Sequence, residues 1–442
     1  MQRLENCRQN TEGAVIPIGE AGFPAPFADT LEFSTPVHGT WNIVHTGMLI
    51  PETHQIYICS PNCMRGVVLT AAEMNTLDRF SQVVIEEKDV LTGSIEKLTA
   101  EGVSDCLQKL PRLPRAVLVF TVCIHHFMGC DLDWIYEELE KRFPQVDFIR
   151  CFMDPVMRKS GLTPDQKMRR SLYEAVRPLP VRPKTAALLG SDFAADEDSD
   201  LKTLLRSGGW ELKELPRADT YEEYLSTGES SLFISVYPNA RAGAEELAKR
   251  LDRPHIHLPQ TFDAEEIRQN ERCLARAIAA LPRNLSKEEE KASQALKKAG
   301  ELAADMPVAV DYTVHPRPLG LAKLLLRAGF NVQRIYTDTI SPEEKSEFYY
   351  LKENYPDLLL CATVNPKCRL LHGMEKNEFL AIGQKAAWFT GSRHFVNIVE
   401  GAGWYGFNGI LKLADKITDA LNEEKNPEII TLKGLGCESC VL

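Results

Sequence analysis

Residues 115–133 read RAVLVFTVCIHHFMGCDLD. The run 116–122 is wholly apolar or β-branched. It is too short to span a membrane and has the length of a strand buried on both faces of a parallel sheet. Cys123 stands where that run ends. A turn at Gly129-Cys130-Asp131 follows, and an amphipathic helix is expected over about 132–143. In open α/β sheets, ligands bind outside the carboxyl ends of parallel strands. A thiol placed there is a candidate metal ligand or nucleophile.

A second thiol pair occupies the same kind of place upstream. The short strand expected over 55–58 runs into Cys59-Ser60-Pro61-Asn62-Cys63, and Pro61-Asn62 bends the chain so that both thiols can face one point. Two cysteines on a loop with a third at a neighbouring strand end suit iron or zinc, which take soft thiolates. A C-x3-C spacing is less diagnostic than paired C-x2-C motifs, and two structural thiols beside a turn give the same pattern. His125 and His126 allow a Cys–His nucleophile or, equally, a hydrogen-bonded histidine closing a strand. His38, Trp41 and His45 either line a pocket or are half-exposed loop residues. Cys130 is a structural thiol or a spare ligand, and Cys7 stands alone in an N-terminal arm. Cys106, Cys151, Cys273 and Cys361 lie in apolar or helical surroundings and are expected as small core residues. Cys437 and Cys440 form a C-x2-C near the chain end, too few for a four-coordinate site by themselves.

The 442 residues suffice for about three domains at ~150 residues each. Strands alternating with helices of roughly 10–15 residues predict α/β domains with parallel sheets. The expected division is an arm over 1–30, a first α/β domain over 31–180, a second over 181–285, a third over 286–425 and a tail over 426–442. In the third, His315-Pro316-Arg317-Pro318 precedes a helix whose start suits an anion or leaves a solvated arginine. The glycines of residues 400–407, EGAGWYGF, permit close approach of a ligand or tight packing.

A 44% hydrophobic and 26% charged composition is that of an ordinary globular protein. The net charge of −11 argues against binding duplex nucleic acid or an anionic membrane surface. No apolar run approaches the ~20 residues of a transmembrane helix, and MQRLENCRQN lacks the apolar segment of a secretory signal. A cytoplasmic location is expected. Twelve cysteines in a chain of this length do not read as a disulfide framework. No Gly-rich phosphate loop is present, so no direct nucleotide binding is expected.

Taken in order, Cys63, VVIEEKDVLTGSIEKL (83–98) and AVLVFTVCIHHFMGCDLD (116–133) resemble the component 1 superfamily of nitrogenases. AALLGSD (186–192) resembles the start of that family's second domain, and WYGFNGILKLADKI (404–417) a segment near its end. The resemblance spans roughly 31–425. It implies an α/β fold of three Rossmann-like domains with parallel sheets around a central cleft. It also implies an iron–sulfur cluster, of [4Fe-4S] type, held by Cys63 and Cys123 near a subunit interface. Ser34 or Thr35 stands where the family has a first cluster cysteine, and Cys59 is an added thiol available to substitute. The ligands of the iron–molybdenum cofactor fall near Val236 and Tyr405, neither of which can serve, so nitrogen reduction is not expected. The implied function is an oxidoreductase component that takes electrons from an ATP-dependent iron protein. Its partner would be a second copy or a related component 1 subunit. Its substrate would lie near His38, His45, His125, Arg317 and Trp404. The alternative is a non-catalytic scaffold or carrier for a metal cluster or metallo-tetrapyrrole.

Overall fold

The computed structural model describes residues 11–30, 43–154, 161–368 and 378–431. Ala116–Val122 is a strand buried along its whole length, because seven consecutive apolar or β-branched side chains leave neither face polar. It pairs in parallel with Thr53–Cys59 on one side and Asp147–Met153 on the other. Phe80–Val84 completes the four-stranded sheet beyond Thr53–Cys59. The register sets Tyr57 beside Phe120, and their rings stack with centroids 4.1 Å apart. Parallel pairing requires crossovers, which are made through Pro61–Glu73, Ile95–Lys109 and Leu132–Arg142. The first of these helices starts at Pro61, which takes the first helical position after Ser60. It ends at Glu73, where the left-handed Asn75 turns the chain towards the next strand.

A second four-stranded parallel sheet has the order Glu211–Glu214, Arg182–Leu189, Ser230–Ser235, His255–His257. The third has six strands. Leu359–Cys361, Asn331–Tyr336, Pro307–Asp311, Leu380–Ile382 and His394–Val396 run parallel, and Val15–Pro17 adds an antiparallel edge beside Leu359–Cys361. The expected N-terminal arm therefore includes a strand of the last sheet. The helix Gly406–Asn422 packs on Ser286–Ala303 beside that sheet.

One apolar core runs from the first sheet into the second, joining Phe120 and Ile149 to Leu189, Phe233 and Leu247. The other face of the second sheet buries Leu188, Leu232 and Ile234 together with Tyr405. Each fully buried aliphatic or Phe side chain contributes ~1.5–3 kcal/mol, so a core shared by two sheets holds their carboxyl ends in fixed relation. No helix among the described residues is long and apolar enough to cross a membrane.

Candidate functional site

Two places gather the chemistry foreseen in the sequence. The first is the carboxyl edge of the first sheet. Cys59 ends its strand fully buried, with Sγ 2.7 Å from Met64 Sδ. Burial, then the neighbouring Cys63, pushes its thiol up to about 12. Cys63, in the first turn of Pro61–Glu73, is exposed and accepts a hydrogen bond from Ser60 Oγ at 3.5 Å. Cys123 opens the short helix Cys123–Phe127 and is half-buried. Cys130 is also half-buried, and burial pushes its thiol up to about 11. Among the described residues, no three His, Cys, Asp or Glu side chains group so as to hold a metal ion.

His125 is filled by the protein itself. Its Nδ1 accepts from the Val122 amide at 3.2 Å, so Nε2 carries the proton and donates to Thr99 Oγ1 at 3.0 Å. Thr99 in turn donates to the Ile95 carbonyl at 2.8 Å. Burial pushes this imidazole down to about 4, so it is neutral. His126 is exposed, and His45 is half-buried on Ile43–Met48. His38, Trp41, Cys7, Cys437 and Cys440 lie outside the described residues.

The second place is the cleft where the loops after the second sheet meet those after the third. Val236 and Tyr405 line one cavity there, with Ser191, Gln260 and Glu400. It measures only about 20 Å³, room for about one water. The Tyr405 hydroxyl donates to the Leu258 carbonyl at 3.3 Å. Val236 has no donor atom, burial keeps the Tyr405 phenol protonated, and the space does not fit a large metal cofactor. An ionic hub stands beside it. Arg169, 1% exposed, donates to Asp192 at 2.8 Å and to Asp165 at 3.1 Å. It also donates to the Gly190 carbonyl and stacks 4.3 Å from the Tyr237 ring centroid. The Tyr237 hydroxyl donates to Glu400.

Arg317 is neither solvated nor open to an anion. It is buried, with Nη1 2.8 Å from Glu266 and Nη2 3.5 Å from Glu347. Trp404 is half-buried and lines two further cavities. The glycines of residues 400–407 pack against protein. A side chain at Gly403 would strike the Ala194 carbonyl, and one at Gly406 would strike Asp200. Sequence reasoning missed the hub. Its one local signal was the i, i+4 spacing of Asp165 and Arg169.

Three parallel α/β sheets with a loop-walled cleft between the second and third, and thiols at the edge of the first, define a recognisable class. The model of the nitrogenase component 1 type oxidoreductase family matches residues 48–422, and the chain belongs to that family. Among solved structures, nitrogenase Cp1 at pH 6.5 has a TM-score of 0.65 at 14% identity, covering 89% of this chain and 94% of that one. Nitrogenase Cp1 at pH 5 has a TM-score of 0.58 at 12% identity, covering 95% and 96%. At such identities the likeness is one of fold. No curated protein matches the chain.

Proposed function

We propose that the chain is a nitrogenase-like oxidoreductase component whose Cys63 and Cys123 hold part of an iron–sulfur cluster completed by ligands from another subunit. The observation that carries this reading is the position of the two thiols. Cys63 lies in the first helical turn after Thr53–Cys59, Cys123 directly follows the neighbouring parallel strand Ala116–Val122, and neither is sealed in the core. Cys59 is left out, since its sulfur faces Met64 in the core and burial opposes its thiolate. Soft thiolates fit iron, and the cluster would supply one-electron transfer. The Ser60 hydroxyl already donates to Cys63 Sγ, the kind of contact that tunes a cluster's potential. Phe127, Met128 and Trp134, soon after Cys123 in the chain, are large exposed apolar side chains, as expected where a partner docks. That partner would be a second copy or a related component 1 subunit, and an ATP-dependent iron protein would deliver the electrons. The substrate is not nitrogen, because Val236 and Tyr405 provide no cofactor ligands.

The test is iron and acid-labile sulfide on anaerobically reconstituted protein, with low-temperature EPR after reduction. Iron and sulfide should bind in wild type and in Cys59→Ala, and be lost in Cys63→Ala and in Cys123→Ala. A wild type that stays free of iron, or single-cysteine variants that keep it all, would sink the proposal. The filled cofactor position also favours a second reading, a carrier that hands a cluster or metallo-tetrapyrrole to an acceptor. In that case the cluster leaves with the acceptor instead of being reoxidised over many cycles.

A further inference from the structure

A cavity of about 750 Å³ opens between the loop that follows Arg182–Leu189 and the strand His394–Val396. This lies within the ~300–1,000 Å³ typical of small-molecule sites. It shares no lining residue with the thiol edge of the first sheet and does not depend on the cluster reading. Its apolar lining comes from Phe395, Ile398, Ile429 and the indole of Trp404. Its polar groups are chiefly donors. Lys425 is half-buried, with Nζ donating to the Phe395 carbonyl at 3.2 Å and standing 5.7 Å from the Phe395 ring centroid. Burial, then the like charge of Lys416, holds its ammonium below the usual lysine range. Neither Lys416 nor Lys425 forms a salt bridge among the described residues. The Lys412 charge is already taken by Asp196 and Asp198. Asp415, exposed on the rim, opposes the lysines only in part.

We propose that this cavity binds an organic carboxylate with a flat apolar body, its ring system against the half-buried Trp404 and Ile429 and its carboxylate on Lys425 and Lys416. Asp196 and Asp198 take up Lys412, and Asp419 and Glu423 act on Lys425 from outside the lining, so the surroundings carry no large positive excess, which suits a monoanion better than a dianionic phosphate. An apolar body would also cover the half-buried lysine stem and shield the pairing from water.

Isothermal titration of the full chain with 1-naphthoate, 1-naphthalenemethanol and 1-naphthyl phosphate tests this. Naphthoate should bind saturably with one site per chain and more tightly than the alcohol or the phosphate. Lys425→Gln should weaken it by at least ~tenfold, the loss of a charged hydrogen bond. Lys416→Gln, at an exposed position that folding does not require, should weaken it by about two- to fivefold. Both variants should bind the alcohol as wild type does. The proposal fails if naphthoate does not saturate, if both lysine variants match wild type, or if the alcohol binds equally well. Tighter binding of the phosphate overturns the carboxylate assignment. Binding seen only after removal of residues 432–442 means that the cavity is closed to ligands in the full chain, and also overturns it.

Discussion

At position 125 the sequence left two roles open, and a residue twenty-six positions away chose between them. Thr99 takes the Nε2 proton while the Val122 amide takes Nδ1, so no lone pair remains for a metal. Nothing near Cys123 in the chain foretells this, because the partner comes from the helix Ile95–Lys109. Arg317 is a second case, its charge met by Glu266 from another element. The burial of His125 has a consequence for acid stability. Its folded pKa is about 4, against about 6.5 unfolded. The unfolded chain therefore binds the proton first, and the stability His125 contributes is complete above pH 6.5 and falls as pH drops towards 4. Glu344, pushed up to about 8 by burial, acts in the opposite direction, so a difference measurement is needed. His125→Ala should cost ~1–3 kcal/mol at pH 7. Between pH 7 and pH 5, wild type should lose roughly 2 kcal/mol more than the variant. Urea unfolding of both chains at each pH reads this directly, and parallel profiles would refute it. The variant should also take up iron as wild type does, whereas a lost cluster would restore the histidine as a ligand.

Among the elements, long ones with a clear apolar period were legible and three-residue strands were not. Ala116–Val122 and the final helix follow from pattern alone. Leu380–Ile382 and His394–Val396 are too short to show any period, and Glu211–Glu214 is a charged edge strand with no apolar alternation. The segment 400–407 lies between these cases, since its glycines were visible but not what they approach. Residues 400 to 403 all have positive φ, including the non-glycines Glu400 at 50° and Ala402 at 51°. Such a run persists only where the surroundings enforce it. The amides of Glu400 and Gly401 donate to the carbonyls of Thr313 and Val314 at 2.8 and 2.7 Å, and the Gly403 carbonyl accepts from Asp196 at 3.0 Å. Two substitutions separate strain from packing. Ala402→Gly relieves an unfavourable backbone conformation and should raise stability by up to ~1 kcal/mol. Gly403→Ala meets both a left-handed φ and the Ala194 carbonyl, and should cost about 3 kcal/mol or more. Denaturant midpoints for the two variants should move in opposite directions, and a shared direction would contradict this account of the loop.

Across the whole molecule, Arg169 sits where three stretches of chain converge. Asp165 comes from its own helix Pro164–Ser171, Asp192 follows the second sheet's Arg182–Leu189, and Tyr237 leads on to Glu400 beside the third sheet. These are the loops that wall the cleft where the family resemblance would seat a metal cofactor, and here they are tied by charge around a space of about 20 Å³. The resemblance puts Val236 and Tyr405 near the expected cofactor ligands, and both line this space. It could not foretell the hub, because a polar helix reading PDQKMRRS looks like a solvated surface. Removing one partner from a buried ion pair leaves an uncompensated charge, at a cost of ~3–5 kcal/mol. Arg169→Met should therefore destabilise by about that amount, leaving Asp165 and Asp192 buried together. Burial already raises the Asp165 carboxyl above its usual range, with Arg169 opposing the rise, so the variant should recover part of its stability as pH falls and a proton replaces the lost cation. Asp192→Asn should cost much less in the Arg169→Met background than alone, as contacting residues depart from additivity. Under the proposed cluster reading, iron uptake by Arg169→Met should match wild type, because the hub shares no residue with the thiol edge. Additive costs in the double-mutant cycle would mean that Arg169 does not couple these loops through charge, and the closed cleft would then rest on packing alone.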